Sequence, residues 1–94
     1  MIKENYKNYL IESNGLESAV DRRHAQKVSF KIKGGDKSTL FDFFISQMDF
    51  DTEAITEKDF ISMCLKKVKE ILDQESSLIN HSFEYRGSVL VEIE

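Results

Sequence analysis

The chain has no proline and no tryptophan, one cysteine, and four glycines among its 94 residues. Average usage of about 5% would give several prolines, so nothing here forces a kink or a cis peptide. A lone cysteine, Cys64, excludes an internal disulfide and any site built from several thiolates. It fits a reducing compartment, and a cytoplasmic location is expected. No apolar run approaches the ~18 residues of a membrane span. The opening Met1-Ile-Lys-Glu-Asn-Tyr-Lys-Asn8 holds no apolar stretch of the signal-peptide kind. A glycine-rich phosphate loop is missing too, because Gly34-Gly35-Asp36-Lys37 has the wrong spacing. No His/Cys cluster has zinc spacing. No cofactor or metal is expected, and no motif names a chemistry.

What is present is the balance of a globular domain, with 40% apolar and 32% charged residues and no low-complexity run. The length suits one domain, residues 1–94. Net charge is −4, unevenly spread. Residues 1–37 carry eight Lys/Arg against five Asp/Glu, while residues 38–94 carry five against twelve. Such asymmetry marks an interaction surface or self-association, unless the charges only solvate their faces.

The strongest pattern is at residues 82–94. Phe83, Tyr85, Val89, Val91 and Ile93 are apolar and odd-numbered; Ser82, Glu84, Arg86, Ser88, Glu92 and Glu94 are polar and even-numbered. Period-two alternation predicts one long strand with one apolar face. Thirteen residues would reach on the order of 43 Å, which demands a partner along the whole length. A second strand is predicted over 27–33, where Val28, Phe30 and Ile32 alternate with lysines. It covers only half of the first. The remainder is met by a hairpin near Arg86-Gly87-Ser88 with a three-residue loop, by a strand at 16–20, or by another molecule.

Helical spacing of Ile2, Tyr6, Tyr9, Leu10 and Ser13 predicts a helix over 2–13, stopped by Asn14-Gly15. Residues 16–26 suit a short helix or a strand, with helix favoured. Thr39-Leu40-Phe41-Asp42 and Thr56-Glu57-Lys58-Asp59 both have the capping-box form. They predict helices over 38–48 and 57–76. The first has an apolar arc of roughly 200°, too wide for one sheet to cover. In the second, Cys64 falls on the apolar stripe and is expected to be an inert hydrophobe. Two helices between two strands return the chain antiparallel. The expected fold is α+β, a small antiparallel sheet with helices on one face.

Three patterns carry candidate chemistry. Residues 49–60 place Asp49, Asp51 and Glu53 at alternate positions before Ile55-Thr56-Glu57-Lys58-Asp59-Phe60. This segment resembles an EF-hand calcium loop, which would make those three acids the first ligands. It departs from the family in having Ala54 for the required glycine and a closing acid one residue early. The bland reading makes Glu57 and Asp59 helix-terminus charges. The two histidines, His24 and His81, could act as general base and acid in phosphodiester cleavage. His81-Ser82-Phe83 resembles one element of the two-histidine phosphoesterases, whose second element is missing at His24. Finally, Arg22, Arg23, Lys27, Lys31 and Lys33 could track a nucleic-acid backbone, although no exposed aromatic interleaves with them.

The reading these observations favour is a non-enzymatic, intracellular protein-binding module. It has the size and character of small inhibitors, immunity or antitoxin proteins and phage-type regulators. Its expected surfaces are an acidic patch (Asp42, Asp49, Asp51, Glu53, Glu57, Asp59) steering a basic partner, and a strand edge (Tyr85, Val89, Val91, Ile93) pairing with a second copy or a partner's strand. The nucleic-acid reading is the alternative; the His24/His81 phosphodiesterase and the calcium loop rank below it.

Overall fold

Six strands form one sheet in their sequence order: β1 (Ile2–Tyr6), β2 (Tyr9–Ser18), β3 (Ala25–Gly34), β4 (Lys37–Ser46), β5 (His81–Arg86) and β6 (Val89–Glu92). This computed structural model describes residues 1–19, 25–46, 48–49, 55–74 and 78–93. Neighbouring strands are antiparallel except β4 and β5, which run parallel across the helix α1 (Glu57–Gln74). A parallel pair needs a crossover of this length, and α1 is that crossover. The fold is α+β, with one helix among the described residues rather than three.

Two of the expected helices are strands, each for its own reason. Tyr6 and Tyr9 are spaced as helical neighbours, but they face each other across the two-residue Lys7-Asn8 turn. The expected helix over 2–13 is therefore a hairpin, β1 with the start of β2. In the expected helix over 38–48, Thr39, Phe41, Phe43 and Ile45 are buried at period two, while Leu40 lies on the other face. The over-wide apolar arc was the two faces of one strand. Aromatic and β-branched residues fit a pleated surface, and they decided the outcome.

Asn14-Gly15, read as a helix stop, is a bulge. Ser13 pairs with Phe30 and Leu16 with Val28, so Asn14 and Gly15 together oppose Ser29. Gly15 has φ 88° and donates its N–H to Ser13 Oγ (3.1 Å). The extra residue switches which side chains of β2 face inward. Residues 16–18 belong to β2 and 25–26 to β3, which settles the strand alternative for those positions; 20–24 lie outside the described residues.

One sheet face carries Ile11, Val28, Phe30, Ile32, Phe41, Phe43, Ile45, Phe83 and Tyr85 against Phe60, Cys64, Val68, Ile71 and Leu72 of α1. Phe43 packs edge-on to Phe30 (5.7 Å) and stacks on Phe83 (5.1 Å). Each buried phenyl contributes about 1.5–3 kcal/mol, so this aromatic row is the centre of the fold. Cys64 is fully buried, and burial pushes its thiol well above its ordinary value, as an inert hydrophobe requires. No helix among the described residues is long and apolar enough to cross a membrane.

Candidate partner-binding edge

The expected long strand 82–94 is a hairpin, and its loop has two residues rather than three. Gly87 and Ser88 both have positive φ (54° and 71°), the signature of a type I′ turn. A two-residue loop pairs odd residues with even ones: Phe83 with Glu92, Tyr85 with Leu90, Arg86 with Val89. The odd residues therefore change face at the turn. Phe83 and Tyr85 point into the core with Leu90 beside them. Val89 and Val91 point to the outer face, where they are 57% and 38% exposed. Of the residues expected at a strand edge, Tyr85 is thus buried on an interior strand; Val89, Val91 and Ile93 belong to the edge side.

Hydrogen-bond alternation fixes which backbone groups of β6 are turned outward. Ile93 N–H donates to Ser82 O (2.8 Å), so 82/93 is a bonded pair, as are 84/91 and 86/89. The N–H and C=O of Leu90 and Glu92 consequently face away from β5, along the open side of the sheet. β1 forms the other edge, where the same rule turns the groups of Lys3 and Asn5 outward.

The two halves of the outer face differ as well. One register row runs Lys3, Glu12, Lys31; another runs Glu17, Lys27, Phe44, Glu84, Val91. Charges alternate over β1–β3, and apolar groups appear over β4–β6. Lys33 binds Glu12 (3.1 Å); that hydrogen bond, with Lys3 and Lys31 nearby, holds the Glu12 carboxyl below its ordinary value.

The inner side of the β6 edge is a groove. Six strands at ~4.8 Å spacing span roughly 24 Å, whereas a helix with its side chains is about 10–12 Å across. One helix cannot cover the sheet. A concavity remains between α1 and the hairpin, lined by Met63, Lys66, Lys67, Glu70, Ser88, Val89 and Leu90. Lys67 lies over the Phe83 ring (5.7 Å) and 4.0 Å from Glu70. Lys66 has no ion pair among the described residues.

His81 anchors β6 from within. It is buried between Phe41 (4.9 Å) and Phe83 (5.9 Å), and its Nδ1–H donates to Glu92 Oε2 (2.6 Å). The His24/His81 pair is incomplete here, since His24 lies outside the described residues.

The expected acidic patch is not one surface. Asp42 is on the outer sheet face, accepting from Ser29 Oγ (2.5 Å). Glu57 and Asp59 are in the first turn of α1, on the opposite side of the sheet. Glu57 Oε1 accepts the Leu16 N–H (3.3 Å), which docks the β2 bulge on the helix. Asp51 and Glu53 lie outside the described residues, and so does most of the calcium-loop segment. Among the described residues no group of three or more His, Cys, Asp or Glu could hold a metal. Lys27, Lys31 and Lys33 share the outer face with Glu12 and Glu17; Arg22 and Arg23 lie outside the described residues.

The open groups of Leu90 and Glu92 and the groove beside them were missed by sequence reasoning. A signal existed, because a Gly-Ser dipeptide between two apolar runs is a hairpin turn. It would have moved Val89 and Val91 to the outer face at once. A comparison with family models, with curated proteins and with solved structures finds no match.

Proposed function

We propose that this chain is a non-enzymatic, cytoplasmic protein-binding module that captures an extended strand along β6. The observation that carries the reading is the open edge at Leu90 and Glu92, flanked by exposed Val89 and Val91 outside and by the Met63/Lys66/Lys67 groove inside. Strand addition draws affinity from main-chain hydrogen bonds and specificity from alternate side chains. A captured strand would place apolar residues outward beside Val89 and Val91. Its inward residues would be apolar or acidic, to meet Leu90 and the two lysines. This reading uses the edge in place of the acidic patch, whose Glu57 is engaged in holding the fold. The nucleic-acid alternative gains nothing from lysines that alternate with glutamates.

The test is selection from a display library of random ten-residue peptides. The expected result is enrichment of alternating apolar sequences with inward acids, lost on Leu90→Pro. That substitution removes an outward N–H, at an edge position where a sheet tolerates proline, together with a side chain that packs against the core. No enrichment, or enrichment indifferent to Leu90→Pro, would refute the reading.

A further inference from the structure

Resting on that reading of β6 as a strand-capturing edge, we propose that the captured strand is β6 of a second copy. The two sheets would join antiparallel across a twofold axis at Val91.

The register follows from which groups are open. Only Leu90 and Glu92 of β6 turn their backbone groups outward, so the bonded pairs must be drawn from them. Pairing Glu92 with Glu92 of the second copy sets like charges opposite each other, which is destabilising. Centring on Leu90 pairs Glu92 with Ser88, whose φ of 71° is a turn conformation rather than a strand. The remaining register pairs Leu90 with Glu92 of the second copy, and the reverse, giving four main-chain hydrogen bonds. Val91 then faces Val91, and Val89 faces Ile93, in an apolar row on the outer surface.

Charge complementarity supports the same arrangement. Glu92 is on the inner face. In this register the Glu92 carboxylate of the second copy enters beside Leu90, at the groove lined by Lys66 and Lys67. The contact is made twice, once on each side of the axis, as an isologous interface demands. Each Glu92 keeps its own His81 on one carboxylate oxygen and offers the other to lysine. β1 cannot replace β6, because its open positions are Lys3 and Asn5, and edge lysine is the usual guard against pairing. β1 on β6 would also be a head-to-tail contact with no closure. Four-residue strands fall short of the ~1,200–2,000 Å² of a standard interface, so the association is weak and concentration-dependent.

The experiment is sedimentation equilibrium on the purified chain from micromolar to millimolar concentration, with thermal melts confirming that each variant folds. The wild type should move from monomer to dimer and no further. Leu90→Pro and, independently, Val91→Lys should each raise the dissociation constant at least about tenfold. Lys66→Glu should weaken the dimer, and Lys66→Glu with Glu92→Lys should restore it. A wild type monomeric throughout, or a dimer indifferent to Leu90→Pro and Val91→Lys, overturns the proposal. A monomer that still selects alternating peptides through Leu90 removes self-pairing alone. A monomer that selects none removes the strand-capture reading as well.

Discussion

The sheet ends in two edges that are built in opposite ways. β1 is tied down and guarded. Glu4 pairs with Lys69 (2.5 Å), the Tyr6 hydroxyl donates to Asp73 (2.9 Å), Lys7 pairs with the same carboxylate, and Lys3 sits at an open backbone position. β6 is anchored from beneath by His81, which donates to Glu92, and presents two valines to solvent. Edge strands with unpaired N–H and C=O groups invite other strands, and lysine is a common defence. On the proposed reading, one edge is guarded and the other is left open to a strand.

The comparison breaks first in the core. Phe83→Ala removes the ring that supports the hairpin and should cost about 3–5 kcal/mol. Ile2→Ala under β1, where the side chain is half-buried, should cost nearer 1 kcal/mol. Denaturant unfolding of both variants would reveal the contrast. At the turns the signs should oppose. Gly87→Val puts a branched residue at φ 54° and should cost roughly 1–2 kcal/mol. Lys7→Gly, at the same φ, should gain up to about 1 kcal/mol.

Acid should loosen β1 before β6. Lys7, then Tyr6, hold the Asp73 carboxyl below its ordinary value, and Lys33 does so for Glu12. Groups with depressed folded values contribute stability above their unfolded values and lose it as the pH falls through the folded ones. Protection factors of β1 and β2 amides should therefore fall as the pH drops below the ordinary values of 4.5 for Glu12 and 3.8 for Asp73. An equal fall at both edges would remove the electrostatic part of the contrast. The smallest effect on stability, within about 0.5 kcal/mol, is expected for Lys3→Val with Asn5→Val. Light scattering should nonetheless show open-ended growth, because β1 would then pair with β6 of the next molecule.

How far the sequence could be read is plain from two nearly identical motifs. Thr56-Glu57-Lys58-Asp59 opens α1, with the Asp59 N–H on Thr56 Oγ1 (3.1 Å). Thr39-Leu40-Phe41-Asp42 has the same form, yet Thr39 donates to Asn80 Oδ1 (2.6 Å) and the segment is a strand. The difference lies downstream. The residues after Thr56 carry a narrow apolar stripe of period 3.6, and those after Thr39 are aromatic on both faces. The strand expected over 27–33 and the helix opening at Glu57 were legible because their periods were unambiguous. Segments 2–13 and 38–48 were not, because a two-residue turn mimics helical spacing and a two-faced strand mimics a wide helical arc. The edge was half legible. Alternation identified the strands at 82–94, while the parity change at Gly87-Ser88 decided which valines meet solvent.

The central claim is that β6, and not β1, is the edge that pairs with a second copy. Residue-resolved amide hydrogen exchange, measured on the wild type at rising protein concentration, addresses it directly. Slowing at Leu90 and Glu92, with Lys3 and Asn5 unchanged, is the predicted result. Slowing at Lys3 and Asn5, or at neither edge, would contradict it.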